Sequence, residues 1–193
     1  MHEDHDQVSS LPRKGILRVD DNAASLFLPD EAATLALGGA LAAALTQGAA
    51  DLVVYLEGDL GAGKTTLVRG LLRKLGYAGK VKSPTYTLVE LYAISRLNLY
   101  HFDFYRFEQP EEYLDAGLDE YFQGAGVCLV EWPDKAGAYL PSPDLRIRLS
   151  LAQDGRDAEL LAQNGKGRLC LTSLNFNPVS IPVAMSSSSP PRA

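Results

Sequence analysis

Residues 58–65 carry a pattern that is typical of phosphate binding. The segment reads Gly58-Asp59-Leu60-Gly61-Ala62-Gly63-Lys64-Thr65 and fits the P-loop pattern G-x-x-x-x-G-K-[ST]. Glycines allow successive backbone N–H groups to curl around an anion without Cβ clashes. The lysine brings a cation to the β- and γ-phosphates, and the threonine hydroxyl can ligate Mg²⁺. The pattern therefore predicts a site for the phosphates of a nucleotide.

Two strand-end carboxylates compete for the role of the acid that helps to hold Mg²⁺. Glu131 ends Val127–Val130, the most apolar strand-like run of the chain, whereas Asp103 ends the more mixed run Leu97–Phe102. Ligands of open α/β sheets collect at the carboxyl edge of the strands. The pattern favours Glu131 as the metal ligand, and Asp103 would then orient the attacking water or hold Mg²⁺ through water. The alternative for either residue is a carboxylate that caps a neighbouring helix.

Three further side chains lie in or beside these segments. Thr85, in the constrained turn Ser83–Thr87, could sense the γ-phosphate or Mg²⁺, although a simple turn is the alternative. His101, in the run before Asp103, is interpreted as a packed, hydrogen-bonded histidine rather than as a base. Trp132 follows Glu131, and it could stack near the site or belong to the core.

The elements that must position these residues can be read on both sides of the loop. Asp51–Glu57 is an apolar, β-branched run of strand length. After the loop, Leu67, Leu71 and Leu75 recur at helical spacing, and Gly76 ends the predicted helix. A helix that begins at the loop adds its N-terminal dipole to the anion site.

The wider pattern predicts one α/β domain over residues 23–174. Alternation of strands and helices around a P-loop predicts a P-loop NTPase-like three-layer fold with a central, mixed and mainly parallel sheet. Late strands are expected at Leu145–Leu151, Glu159–Leu161 and Arg168–Leu171. Outside the domain, residues 1–22 are predicted to be a flexible N-terminal extension and the Ser/Pro-rich residues 175–193 a disordered tail.

Charge and composition restrict the classes of function. The chain has a net charge of −6, which argues against a large autonomous nucleic-acid footprint. Cys128 and Cys170 lie in apolar runs and are predicted to be buried free thiols, in keeping with a cytosolic setting. No apolar run approaches the ~20 residues of a membrane span, and the acidic N-terminus does not resemble a secretory signal. We therefore expect a cytoplasmic protein without a membrane partner.

Four segments taken in order match those of one known family: Gly58–Thr66, Val81–Thr87, His101–Arg106 and Leu129–Pro133. Pro29–Thr34, which opens the first predicted helix, also resembles the start of that family. Together they closely resemble the bacterial TsaE family, also called YjeE, over residues 24–171. The resemblance implies a small P-loop ATPase that is required for threonylcarbamoyladenosine (t6A) modification of tRNA.

The resemblance also implies roles for individual positions. Thr65 and Glu131 would hold Mg²⁺, which agrees with the preference drawn from the pattern. Lys64, Thr85, Asp103 and Glu131 would be catalytic. Nucleotide binding would involve Glu31, Asp59, Leu60, Gly61, Ala62, Gly63, Lys64, Thr65, Thr66, Trp132, Gly155 and Arg156.

The same resemblance implies ATP and Mg²⁺ as cofactors and TsaD-like and TsaB-like proteins as partners, with tRNA contacted only through the complex. Two other classes remain compatible with a P-loop. A small-molecule kinase usually needs an arginine-bearing lid, and here Arg106 stands alone after Asp103. A nucleotide-gated binding module, including a GTP switch, is the other class, although the chain has no Asn-Lys-x-Asp segment for guanine.

Overall fold

The computed structural model describes residues 18–19, 22–46, 51–94 and 97–176. Within these ranges eight strands form one sheet. The strands are β1 Arg18–Val19, β2 Ala23–Leu28, β3 Leu52–Glu57, β4 Val89–Ile94, β5 Leu97–Asp103, β6 Val127–Glu131, β7 Leu145–Ala152 and β8 Gly155–Ala162. The α-helices are α1 Glu31–Thr46, α2 Lys64–Lys74, α3 Glu112–Asp115 and α4 Gly165–Thr172. Short 3₁₀ helices span Leu118–Phe122, Pro133–Lys135 and Gly137–Tyr139.

The sheet is mixed, with a parallel centre. Its strand order is β1-β2-β8-β7-β3-β6-β5-β4. The strands β7, β3, β6 and β5 pair in parallel, and the remaining neighbours pair antiparallel. Because β2 is antiparallel to β8, and β8 to β7, β2 points the same way as the central four strands. Most of the described strands therefore share one direction, and the predicted mixed, mainly parallel sheet is confirmed.

Each face of the sheet has its own apolar core, as a three-layer fold requires. On one face α1, α2 and α4 pack against the sheet through residues such as Leu41, Leu71 and Leu171. On the other face α3 and the 3₁₀ segments cover an aromatic core that includes Phe102 and Tyr113. Because side chains alternate along a strand, each central strand contributes to both cores.

The expectation of a strand at Arg168–Leu171 is wrong, because these residues lie in α4. The side chain of Asn164 caps this helix by accepting hydrogen bonds from the backbone N–H groups of Lys166 and Gly167, at 3.0 and 3.1 Å. The buried residues Gly167, Cys170 and Leu171 follow the i, i+3, i+4 spacing of a helix face. That spacing was present in the sequence but lay inside a short apolar run, where period two and period 3.6 are hard to distinguish.

Two ordered segments lie beyond the predicted limits of the domain. The strand β1 lies within residues 1–22, the segment predicted to be an extension. It pairs with Ser25 and Ala24 of β2. At the other end Phe176 is buried in the helix-covered core. Most of the predicted extension, and residues 177–193 of the predicted tail, lie outside the described residues.

Both cysteines are buried free thiols, as predicted. Cys128 belongs to the aromatic core and Cys170 to the helix-covered core. Burial raises the pKa of Cys128 to about 12 and that of Cys170 to about 11. Among the described helices, none has the length and apolar character needed to cross a membrane.

Candidate active site

The P-loop connects the carboxyl end of β3 to the first residue of α2. Gly58, Gly61 and Gly63 have φ angles of 133°, 81° and 107°, which residues with a side chain rarely adopt. At Gly58 a Cβ atom would also overlap the carbonyl oxygen of Leu149 on β7. The glycines of the pattern are therefore required by the backbone conformation. Since the first N–H groups of a helix have no intrahelical acceptor, this end of α2 offers donors to an anion.

A cavity of about 240 Å³ opens beside the loop. It is lined by Leu60, Gly61, Gly63, Lys64, Thr65, Thr66, Ser83, Thr85, Asp103, Tyr105, Glu131, Trp132 and Arg156. The structure thus brings eleven of the predicted site residues to one cavity. It lies at the carboxyl ends of β3, β5 and β6, where ligands of open α/β sheets are expected.

Lys64 is 4% exposed and reaches back along the loop. Its Nζ donates to the carbonyl oxygens of Gly58 and Asp59 at 2.6 and 2.9 Å. It also lies 4.1 Å from the centre of the Trp132 ring, a cation–π distance. Burial lowers the pKa of Lys64, and nearby carboxylates, Glu131 foremost, oppose that shift. The lysine therefore has a partly desolvated ammonium that faces both the loop and the carboxylates.

Glu131, at the end of β6, is joined to the first turn of α2. Its Oε1 accepts a hydrogen bond from Thr65 Oγ1 at 2.8 Å. The same oxygen lies 2.9 Å from Nε2 of the fully buried His101. The two predicted metal ligands, Thr65 and Glu131, are therefore adjacent, and the interpretation of His101 as a packed, hydrogen-bonded residue agrees with its surroundings.

Asp103 ends β5 directly opposite Glu131 in the parallel register. Its Oδ1 accepts from the backbone N–H of Tyr105 at 2.9 Å, and its Oδ2 accepts from Thr85 Oγ1 at 3.2 Å. Ser83 Oγ also donates to Oδ2. The turn that carries Thr85 is thereby attached to the carboxylate, which is 3% exposed.

Trp132 and Tyr105 form one wall of the cavity. Trp132 adopts a left-handed backbone conformation, with φ of 58°, directly after Glu131. Its ring centre lies 5.1 Å from that of Tyr105. Tyr86, the residue after Thr85, is 84% exposed and does not line the cavity, and Arg106 stacks on its ring at 4.3 Å. Two aromatic side chains therefore line the cavity together with its polar residues.

Arg156 approaches the P-loop from the start of β8. Its Nε would lie 3.2 Å from a Cβ placed on Gly63, and Nε has no hydrogen-bond partner among the described residues. Gly155 does not line the cavity, and its φ of 158° belongs to the turn that places Arg156. Glu31 also lies outside the cavity, where it forms an exposed ion pair with Arg69 at 3.3 Å.

Three residues at the site, Ser83, His101 and Tyr105, were not among the site residues predicted from the sequence. Ser83 and Tyr105 line the cavity and bond to Asp103, and His101 contacts Glu131. A usable signal existed for His101, because it stands two residues before Asp103 on one strand and so shares its face. Asp59 and Ala62, which were predicted as site residues, do not line the cavity, but the backbone oxygen of Asp59 accepts from Lys64 and from the N–H of Ala62.

The side chains at the floor of the cavity suit a hard cation. Thr65 and Glu131 offer oxygen donors, the type that Mg²⁺ prefers. Among the described residues there is no cluster of three or more His, Cys, Asp or Glu side chains able to form an all-protein metal site. A metal held by this pair would take its other ligands from phosphate and water, as Mg²⁺ usually does.

Comparison with known proteins decides the family. A family profile described as "Threonylcarbamoyl adenosine biosynthesis protein TsaE" matches residues 28–158. The chain belongs to the TsaE family. The matched range contains every residue that lines the cavity.

Individual TsaE proteins are similar over most of the chain. The tRNA threonylcarbamoyladenosine biosynthesis protein TsaE of Haemophilus influenzae is 42% identical over 151 residues, which cover 77% of this chain and 96% of that protein. The TsaE of Bacillus subtilis is 50% identical over 102 residues, covering 53% and 63% respectively. The crystal structure of YdiB from Bacillus subtilis superposes with a TM-score of 0.66 and 33% identity, covering 79% of this chain and 93% of that one.

Proposed function

We propose that this TsaE-family chain is a Mg²⁺-dependent ATPase that serves the t6A modification of tRNA. The observation that carries the proposal is the convergence of the P-loop, Thr65 and the carboxylates of Glu131 and Asp103 on one cavity. The names of the family profile and of its relatives indicate threonylcarbamoyladenosine biosynthesis as the pathway. The geometry supports phosphoryl transfer to water, for which positioning and charge stabilisation supply most of the catalysis.

The phosphates would be held by the loop and by two cations. Backbone N–H groups of residues 59–65 and the start of α2 would surround them. Lys64 would exchange its bonds to the carbonyls of Gly58 and Asp59 for the β- and γ-phosphates. Arg156 offers an Nε without a protein partner beside the loop, and a phosphate oxygen would satisfy it.

The two carboxylates would divide the remaining work. Thr65 and Glu131 would hold Mg²⁺, whose charge offsets the negative charge that develops on the phosphates. Asp103 would accept a hydrogen bond from the attacking water and so orient it toward the γ-phosphate. Thr85, which donates to Asp103, would link this step to the conformation of its turn. Trp132 would stay packed over Lys64 and shield the site from bulk water.

The ATPase would act within an assembly. TsaD-like and TsaB-like proteins are the proposed partners, with hydrolysis resetting the complex in the cytoplasm. A chain with a net charge of −6 is suited to tRNA contact through those partners rather than alone. A pull-down with the TsaB and TsaD counterparts, with and without ATP, tests this proposal. Equal capture of the partners in the presence and absence of ATP would contradict the resetting step.

Substitution of Lys64 tests the ATPase directly. We expect Lys64→Ala to lower the rate of Mg²⁺-dependent ATP hydrolysis by a factor of about 10² or more, because it removes a preorganised cation from the phosphates. A phosphate-release assay measures the rate, and circular dichroism of both proteins checks that the fold survives. Near-wild-type turnover would contradict the P-loop assignment.

The nucleotide itself provides a second check. Titration with ATP and GTP should show tighter binding of ATP. A clear preference for GTP would favour a nucleotide-gated switch, and a phosphorylated product in an acceptor screen would favour a small-molecule kinase.

A further inference from the structure

His101 is a fully buried histidine that contacts the candidate metal ligand from a neighbouring strand. Its Nε2 lies 2.9 Å from Oε1 of Glu131. The parallel register pairs His101 with Leu129, so Glu131 is the next residue along β6 on the same face. The contact is therefore fixed by the pairing of β5 with β6, two neighbouring parallel strands that lie inside the edge strand β4.

The hydrogen-bonding capacity of the two groups defines their roles. An ionised carboxylate only accepts, so Nε2 of His101 must carry the hydrogen. The other ring nitrogen, Nδ1, is buried and has no partner among the described residues. The contact with Glu131 therefore requires the hydrogen on Nε2, which donates to Oε1 of that carboxylate.

Both donors to Glu131 approach the same oxygen. Thr65 Oγ1 and His101 Nε2 lie 2.8 and 2.9 Å from Oε1. A carboxylate held through one oxygen by groups on two different elements cannot rotate freely. Its second oxygen, Oε2, is then left for a ligand in the cavity that Glu131 lines.

We propose that His101 is a positioning residue that holds the Glu131 carboxylate in the orientation needed to bind Mg²⁺. The proposal rests on the proposed ATPase function. Hydrogen-bond partners of metal-ligating carboxylates fix their orientation, and loss of such a partner typically costs 10–100-fold in metal affinity or activity. His101 does not line the cavity, so it would contact neither the phosphates nor the metal.

Two substitutions separate the hydrogen bond from simple packing. His101→Leu fills the space but removes the donor, and we expect a 10–100-fold rise in the Mg²⁺ concentration for half-maximal hydrolysis. His101→Gln keeps an N–H donor near the position of Nε2 and should restore most of the Mg²⁺ affinity. Leu99→Ala is the matched control, because Leu99 is equally buried two residues earlier on the same face of β5. It should lower stability without changing the Mg²⁺ requirement.

Nuclear magnetic resonance of the histidine ring nitrogens provides a readout that does not depend on activity. The chain has three histidines, and His101→Gln assigns the signal of His101 by its loss. We expect the tautomer with the hydrogen on Nε2, and a shift of that signal in Glu131→Ala. Detection of the Nδ1–H tautomer, or a His101 signal that does not change in Glu131→Ala, would contradict the proposed hydrogen bond between His101 and Glu131.

The outcomes separate the two proposals. Wild-type protein without Mg²⁺-dependent ATP hydrolysis would refute the proposed function. If the wild type hydrolyses ATP but folded His101→Leu has an unchanged Mg²⁺ requirement, the positioning role of His101 alone is refuted.

Discussion

At the scale of single residues, two carboxylates one strand apart have different partners. Glu131 is bonded by the side chains of Thr65 and His101, whereas Asp103 is bonded by Ser83 and Thr85 and by the backbone of Tyr105. The first set ties Glu131 to the P-loop helix, and the second ties Asp103 to a turn. This difference supports a metal-binding role for Glu131 and a water-orienting role for Asp103.

That division predicts that substitution of each carboxylate changes a different kinetic quantity. Glu131→Gln should raise the Mg²⁺ concentration needed for half-maximal hydrolysis, since a neutral amide is a weaker ligand than a carboxylate. Asp103→Asn should lower kcat by about 10²-fold or more at saturating Mg²⁺, because the water loses its acceptor. Steady-state kinetics with Mg²⁺ varied at fixed ATP measures both quantities. The reverse pattern would exchange the two roles.

At the scale of elements, the P-loop helix is held in place by two glycines. A Cβ at Gly38 of α1 would overlap the carbonyl oxygen of Leu67 on α2, and a Cβ at Gly70 of α2 would overlap that of Leu35 on α1. The two helices therefore approach each other backbone to backbone. The first turn of α2 carries Lys64 and Thr65, so this contact sets the position of the proposed phosphate site.

Alanine at Gly38 should therefore be strongly destabilising. We expect Gly38→Ala to lower the free energy of unfolding by about 3 kcal/mol or more, because the added methyl group meets backbone that cannot move independently. Urea denaturation monitored by circular dichroism measures the change.

The neighbouring glycine is a matched control for this prediction. A Cβ at Gly39 would meet only the Lys74 side chain, at 3.7 Å. Gly39→Ala should therefore be neutral or stabilise the protein by about 0.5–1 kcal/mol, as alanine does within a helix. Equal destabilisation by the two substitutions would show that the helices do not pack as closely as described.

At the scale of the whole molecule, the sheet separates two cores, and each contains one cysteine. Cys128 reports on the aromatic core and Cys170 on the helix-covered core. In a single cooperative unit the two cores unfold together. The two thiols are therefore natural reporters of whether the layers are coupled.

Thiol reactivity tests this coupling. At pH 8 both thiols should resist an aromatic disulfide reagent in the native protein, because both are buried and burial raises their pKa values to about 12 and about 11. Both should become reactive over the same range of urea concentration. Exposure of one thiol at a clearly lower urea concentration than the other would show that one layer unfolds separately.

The same shifts predict the direction of the pH dependence. The native thiols hold their protons more tightly than unfolded thiols, whose ordinary pKa is 9.0, so the native state binds more protons above that pH. Their contribution to stability is therefore complete below pH 9 and decreases as the pH rises toward the native values. Replacement of both cysteines by alanine should reduce the fall in the free energy of unfolding between pH 9 and 10, measured by urea denaturation at each pH. An unchanged dependence on pH would contradict the raised pKa values of the native thiols.

The sequence by itself determined the parts of the protein that depend on contiguous residues. The P-loop is a local pattern whose glycines and lysine are required by backbone geometry and phosphate chemistry, so Lys64 and Thr65 could be assigned from spacing alone. The run Leu52–Glu57 could likewise be recognised as a strand, and apolar strands ending in acids located Asp103 and Glu131. The parallel direction of most strands was expected from their alternation with helices, whereas the strand order came from the structure.

Only the tertiary structure decided which side chains meet. The register of β5 against β6 places His101 on Glu131, and the turn after α2 brings Ser83 to Asp103, although twenty or more residues separate the partners. Tertiary packing also assigned Arg168–Leu171 to a helix and brought Arg156 beside Gly63. These outcomes depend on strand pairing and burial between distant segments, and local patterns carry little information about either.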